Sequence, residues 1–264
     1  MKKVISTFLS LAILFTLSSP VLATESTTIN SQVSYLLNNG FPLELLNALD
    51  SKKINSFYEE LINGNIICGT PNVSYLYEDV NPSVLPYSAI PEADMALCVW
   101  HVIHINPNSD VAKIRTIEIF IQYEWAENKP KIRKEDGISV NWDSDLFYAS
   151  NFYAESISYT KGLGETVLLE LNTPSSELDQ GGLGYFAAVD GVGDIYGTAS
   201  FHLVPRSPIY MGSYYNTVVN VKYVHSKELL GSTITFVKGP VGIGINCKGA
   251  NDSTTGYTEF NFSK

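Results

Sequence analysis

Ile114–Trp125 reads IRTIEIFIQYEW. Ile117, Ile119, Ile121, Tyr123 and Trp125 share one face of an extended chain. Glu118, Gln122 and Glu124 share the other, where Phe120 is the apolar exception. Side chains on a strand alternate between faces, so this run predicts a half-buried strand. Upstream, MALCVWHVIHI (95–105) sets Cys98, Trp100, Val102 and His104 against Leu97, Val99, His101 and Ile103. Further strands are expected near 137–142, 147–153, 165–171, 184–189, 195–204, 216–225, 232–238, 241–247 and 255–262. Gly, Pro, Asn and Asp separate them. Asp190-Gly191 and Gly193-Asp194 lie between two apolar runs and signal a hairpin. Many short strands without intervening helices predict a mainly β fold, an antiparallel β-sandwich. A barrel is the structural alternative.

The N-terminal part differs. FPLELLNALDSKKINSFYEELING (41–64) reads as a helical hairpin. Pro42 suits a first turn, and Leu45, Leu46 and Leu49 line one face. Asp50 or Ser51 caps a second helix carrying Ile54, Phe57, Tyr58, Leu61 and Ile62, and Asn63-Gly64 stops it. Residues 24–34 are Ser/Thr-rich and are expected to be loose. Before them, Lys2-Lys3, an apolar stretch from Val4 to Leu17 and Val21-Leu22-Ala23 have the order of a signal peptide cut after Ala23. The stretch is shorter than the ~20 residues of a spanning helix. No Cys follows it to carry a lipid. The expected division is therefore 1–23 signal peptide, 24–64 loose segment and helical hairpin, and 65–264 β-sandwich domain.

Composition narrows the partners. With 45% hydrophobic and 17% charged residues, the chain of 264 residues is not disordered in type. Its net charge is −10, and loss of residues 1–23 removes two lysines and no acid. A nucleic-acid partner is not expected, because backbone binding needs a basic surface. No transmembrane anchor is expected in the mature chain, which should be secreted. One run opposes this acidity: NKPKIRKED places Lys129, Lys131, Arg133 and Lys134 in one loop that could meet an anionic wall polymer or an acidic patch.

Familiar catalytic patterns are missing. G-x-S-x-G does not occur. His101 and His104 point to opposite faces of a strand and do not chelate one ion. Gly191-Val192-Gly193 with Gly197 lacks the spacing and the helix of a nucleotide loop. Cys68, Cys98 and Cys247 contain no C-x-x-C; three buried thiols, or one disulfide and one free thiol, both fit. Asn141, Asp143 and Asp145 put oxygen ligands at every second position, an improvised Ca²⁺ site if the stretch is a strand, although it is no EF-hand. Trp100, Trp125, Trp142, Tyr148, Tyr153, Tyr210, Tyr214 and Tyr215 could serve as sugar platforms or as core.

YEWAENKPKIRKEDGISVNWDSDLF, with the helical preface and the later KYVHS, resembles uncharacterised exported β-rich proteins of Gram-positive bacteria. Trp125, Arg133, Asp136 and Trp142 carry the resemblance. It implies export and bacterial origin and transfers no activity. Trp125, Arg133 and Trp142 are the ligand-binding candidates, with an Arg stacked on Trp and paired with Asp as the structural alternative. The expectation is an exported, non-enzymatic binding module whose partner is a cell-surface glycan or protein. A β-pore-forming protein and a secreted carboxylate-dependent glycan hydrolase are the alternatives.

Overall fold

The computed structural model describes residues 20–76, 95–106, 111–125, 136–160, 163–167, 181–187, 194–213, 216–226, 234–239, 242–247 and 251–262. Three helices come first: α1 (Pro20–Asn38), α2 (Leu43–Ala48) and α3 (Ser51–Ile62). The strands follow as β1 (Ile66–Cys68), β2 (Asn72–Leu76), β3 (Met95–Asn106), β4 (Lys113–Trp125), β5 (Asp136–Asn141), β6 (Phe147–Thr160) and β7 (Leu163–Val167). They continue as β8 (Gly182–Ala187), β9 (Asp194–Pro205), β10 (Asn216–Ser226), β11 (Ile234–Gly239), β12 (Gly242–Cys247) and β13 (Asn251–Asn261). The fold is mainly β with antiparallel sheets, as the alternation implies.

The central sheet has the order β1-β3-β4-β9-β6-β7, with β2 beside β1 on the same edge of β3. A four-stranded sheet, β13-β10-β5-β8, faces it. The odd-numbered residues of β4 from Ile117 to Trp125 point into the space between them. There they meet Ile138 and Val140 of β5, Leu183 and Tyr185 of β8, Val219, Val221 and Tyr223 of β10 and Phe260 of β13. This sandwich core buries most of the large apolar side chains, the dominant favourable contribution to folding. The β11–β12 hairpin lies on the outer face of the smaller sheet. Gly137 and Gly184 leave room there for Ile234 and Phe236; a Cβ on Gly184 would stand 2.4 Å from the Phe236 ring.

Phe120 has its explanation on the other face of the central sheet. Helices cover that face, and Phe120 stacks on Trp100 (5.8 Å) and meets Phe57 of α3 edge-on (6.2 Å). Leu36, Phe41, Leu45, Leu46, Ile54 and Ile66 complete this second core. Glu118 and Gln122 are therefore buried rather than turned to solvent.

Asp50 caps α3, its Oδ1 accepting the Lys53 N–H at 2.7 Å, and Asn63 ends the helix before Gly64 at φ +69°. Pro42 stands at the cap of α2, one position before its expected place in the first turn. Two expectations need correction. Residues 24–34 are not loose but lie within α1, whose Gln32 donates to Asn55 Oδ1 of α3 at 2.8 Å. Tertiary packing on α3 outweighs the weak helix propensity of Ser and Thr. The strands flanking Asp190-Gly191 and Gly193-Asp194 do not form a hairpin. β8 pairs with β5, whereas β9 lies between β4 and β6. Leu183 and Tyr185 meet Phe201 and Leu203 from opposite walls of one core, so the chain changes sheets there. A Gly-rich signal between two strands does not dictate that they pair.

Candidate functional site

Trp125 closes a polar network between the two sheets. Asp136 and His225 are partners across the β5–β10 ladder, and Tyr223 lies two residues away on the same face. The Tyr223 hydroxyl donates to Asp136 Oδ2, and His225 Nδ1 lies 2.7 Å from Asp136 Oδ1. From the opposite sheet, the Trp125 indole N–H donates to the Tyr223 oxygen at 2.9 Å. Asp136, Tyr223 and His225 are fully buried. Burial, then the Asp136 charge, pushes the Tyr223 hydroxyl well above its ordinary pKa, which keeps it a donor. This arrangement fixes sheet against sheet.

Trp142 is buried as well, 5.5 Å from Phe201, so Trp125 and Trp142 are core groups and do not line a common concavity. Arg133 lies outside the described residues, as do Lys129, Lys131, Lys134, Tyr214 and Tyr215. The strand alternation expected for Asn141, Asp143 and Asp145 stops at Asn141, where β5 ends and a turn begins. Asn141 Oδ1 accepts the Ile243 N–H at 2.6 Å and ties β12 to β5. Asp143 Oδ1 accepts the Asp145 N–H at 2.9 Å, an Asx turn. Two of the three oxygen donors thus hold backbone N–H groups, one across to β12 and one within its own turn. Among the described residues, no group of three or more His, Cys, Asp or Glu is placed to hold a metal ion. Cys68, Cys98 and Cys247 are thiols rather than members of a disulfide, each partly buried, and burial pushes the Cys68 thiol up to about 12.

A second polar cluster lies under α3. Lys53, Phe57 and Glu60 follow helical spacing and face the sheet. Lys53 Nζ lies 2.8 and 2.9 Å from the two carboxylate oxygens of Glu118. His104 Nε2 and His202 Nε2 approach that carboxylate at 3.4 and 3.5 Å. His104 Nδ1 reaches Glu60 at 3.0 Å, and Arg115 reaches the same Glu60 at 3.6 Å. Burial alone would raise the pKa of Glu118. The two imidazoles and the ammonium outweigh it and hold the carboxyl well below the usual range. The ammonium blocks the carboxylate from the helix side, so the cluster works as an electrostatic latch.

Two bulges frame the latch. In β4, Thr116 pairs with His104 but Ile114 pairs with Ile105, which leaves Arg115 as the extra residue. The bulge reverses the alternation: Ile114 and Ile117, three apart, both enter the sandwich core. In β6, the register shifts between Ser150 and Tyr153, with Asn151 at φ +51° and its amide 3.4 Å from His202. Beyond the first bulge, the ends of β3, β4 and β9 enclose a concavity of about 370 Å³. Asn106, Lys113, Arg115, Arg206, Ser207 and Pro208 are among its lining residues. Lys113 forms an isolated bridge with Tyr210, and the Arg206 guanidinium lies 5.8 Å from the Tyr148 ring. Tyr148 and Tyr210 are exposed, in contrast to the three tryptophans.

Sequence reasoning passed over Lys113, Arg115 and Arg206. The available signal was the break in alternation between Ile114 and Ile117, beside two cations in an acidic chain.

No protein-family model matches the chain, and no curated protein does. A solved structure from work on pH-induced modulation of Streptococcus parasanguinis adhesion by Fap1 fimbriae aligns with 72% of this chain and 88% of its own. The identity is 9% and the TM-score 0.33, a likeness too slight to inform function.

Proposed function

We propose that this protein is an exported, non-enzymatic β-sandwich that works as a binding module at or outside the cell surface, contacting its partner with the open end of the central sheet. The observation that carries this reading is the contrast between interior and rim. His101, His104, His225, Asp136 and Glu118 are buried, each hydrogen-bonded or ion-paired to a neighbouring side chain. The end of the sheet instead offers a concavity beside two exposed tyrosines. Concave sites with a few convergent polar groups are where small ligands and chain segments bind. Among the described residues, no helix is long and apolar enough to cross a membrane.

The test is co-sedimentation of the mature chain with purified Gram-positive cell walls, together with a glycan array. Saturable binding to walls or to a defined glycan is expected. Absence of binding to either, combined with turnover of a glycan substrate, would replace this reading with that of a hydrolase.

A further inference from the structure

The helical layer covers half of the outer face of the central sheet. Its core takes Trp100 and Val102 from β3 and Phe120 from β4 and, among the described residues, none from β9 or β6. On the other half, Ser150 is the cross-strand partner of His202, and His202 is that of Glu118, which faces the helices. Tyr148 shares the face of Ser150. Unbroken alternation would turn Tyr153 the opposite way, into the sandwich core. The bulge in β6 prevents this. Asn151 and Phe152 together oppose Phe201, Phe152 stacks on Phe201 from the core side, and Tyr153 emerges opposite Ser200 on the outer face. Asn151 takes the extra position at φ +51°, a conformation that Asn tolerates better than most residues other than Gly.

The result is two exposed tyrosines, Tyr148 and Tyr153, in line along β6. Their partners on β9, Val204 and Ser200, are four residues apart, so the tyrosines lie roughly 13 Å from each other along the sheet. Ser150, Asn151, Ser200 and His202 occupy the interval. His202 Nε2 faces the Glu118 carboxylate at 3.5 Å and carries its proton there. Its Nδ1 therefore accepts from the Asn151 amide N–H at 3.4 Å, which leaves the Asn151 carbonyl oxygen to meet a ligand. The row is continuous with the concavity, because Tyr148 lies beneath the guanidinium of Arg206, one of the residues that line it. A pyranose offers an apolar C–H face to an aromatic ring and hydroxyls at its edge to amide and hydroxyl groups. Hydroxyl, amide and imidazole groups between two rings, in a chain of net charge −10, suit an uncharged ligand.

We propose that the outer face of β6 and β9 binds a linear, uncharged glycan, with sugar units stacked on Tyr148 and Tyr153 and a hydroxyl between them donating to Asn151. This rests on the reading of the protein as a binding module and names its ligand class. The spacing of the rings calls for a chain of sugars rather than a single one.

The experiment is calorimetric titration of the full mature chain with cellotetraose, maltotetraose and tetra-N-acetylchitotetraose, with the three corresponding monosaccharides, and with tetragalacturonate as the acidic comparison. Tyr148→Ala, Tyr153→Ala and Asn151→Gly are titrated alongside. All three positions are exposed, Gly keeps the left-handed conformation of the bulge while removing the carboxamide, and circular dichroism checks that each variant is folded. Saturable binding of at least one neutral tetrasaccharide is expected, at least about tenfold tighter than its monosaccharide and at least about tenfold weaker in each tyrosine variant. Asn151→Gly should weaken it as well. No saturable binding of any neutral tetrasaccharide overturns the assignment, as does tetragalacturonate bound as tightly, a monosaccharide bound as tightly, or wild-type affinity in the variants. Cell-wall binding retained by all three variants would sink this site while leaving the binding-module reading intact.

Discussion

The Lys53 ammonium on α3 lies within 3 Å of both carboxylate oxygens of Glu118 on β4, joining the helical layer to the central sheet. Glu118 is buried, and Lys53 is about one-third exposed. Removing one partner of a buried pair strands the other charge, which costs ~3–5 kcal/mol when both are fully buried. Partial exposure of Lys53 lowers this to roughly 2 kcal/mol. Lys53→Met should therefore reduce unfolding stability in urea by about that amount. It should also speed proteolysis within the helical layer before the sheets open. Unchanged stability and cleavage would show that the apolar contacts of Phe57 alone hold this layer.

His101 sets an acid limit. Its imidazole is buried, 4.6 Å from Phe260, with Nδ1 2.5 Å from the Thr258 hydroxyl oxygen. Burial lowers its pKa from 6.5 to about 4. Between those values the unfolded chain binds the extra proton, so stability is full above pH 6.5 and declines as pH falls towards 4. The loss is on the order of 3 kcal/mol. Glu118, whose folded pKa is depressed, adds a further loss below about 4.5, where the unfolded carboxyl becomes protonated. Denaturant melts across this range should show both declines. His101→Gln should flatten the first and leave the second; a slope that survives the substitution contradicts the assignment.

Tyr223→Phe should be costly despite preserving ring shape. It removes the acceptor of the Trp125 indole and a donor to Asp136, both buried. Each stranded polar group costs about 1–3 kcal/mol. Trp125→Phe removes the indole donor and leaves the Tyr223–Asp136 bond intact, so its loss of polar contact should be smaller. Thermal unfolding of both variants checks the order; equal tolerance of Tyr223→Phe would mean that the network adds nothing between the sheets.

The leader expected in residues 1–23 gives a chemical prediction. Expressed in a Gram-positive host, the protein should appear in the medium or on the wall with Thr24 as its first residue, read by N-terminal sequencing. Retention inside the cell with Met1 intact would remove export from the account.

Much of the fold was legible because two periodicities are clean. Ile117–Trp125 alternates at period two, and the α3 segment places Ile54, Phe57, Tyr58 and Leu61 at helical spacing behind an Asp cap. Pairing was less legible, because alternation says which face is buried but not which strand lies alongside. The flanks of Asp190-Gly191 show this, since β8 and β9 share a core while belonging to different sheets. The candidate site was hidden for a related reason. Glu118 looks like a surface acid until a helix carrying Lys53 is laid over it, and that contact spans 65 positions of sequence. Trp125 and Trp142 drew attention as aromatic platforms, yet rings of that size on strands gain most from the core. Lys113 and Arg115 come to line the concavity through one extra residue in a strand, a shift that composition does not reveal.

Amide chemical-shift mapping on the mature protein, titrated with solubilised Gram-positive wall polymer, tests the account most directly. Saturable perturbations centred on Asn106, Lys113, Arg115, Ser207 and Tyr210 are the predicted result. Perturbations centred on β10 and β13 of the other sheet, or none that saturate, would contradict it.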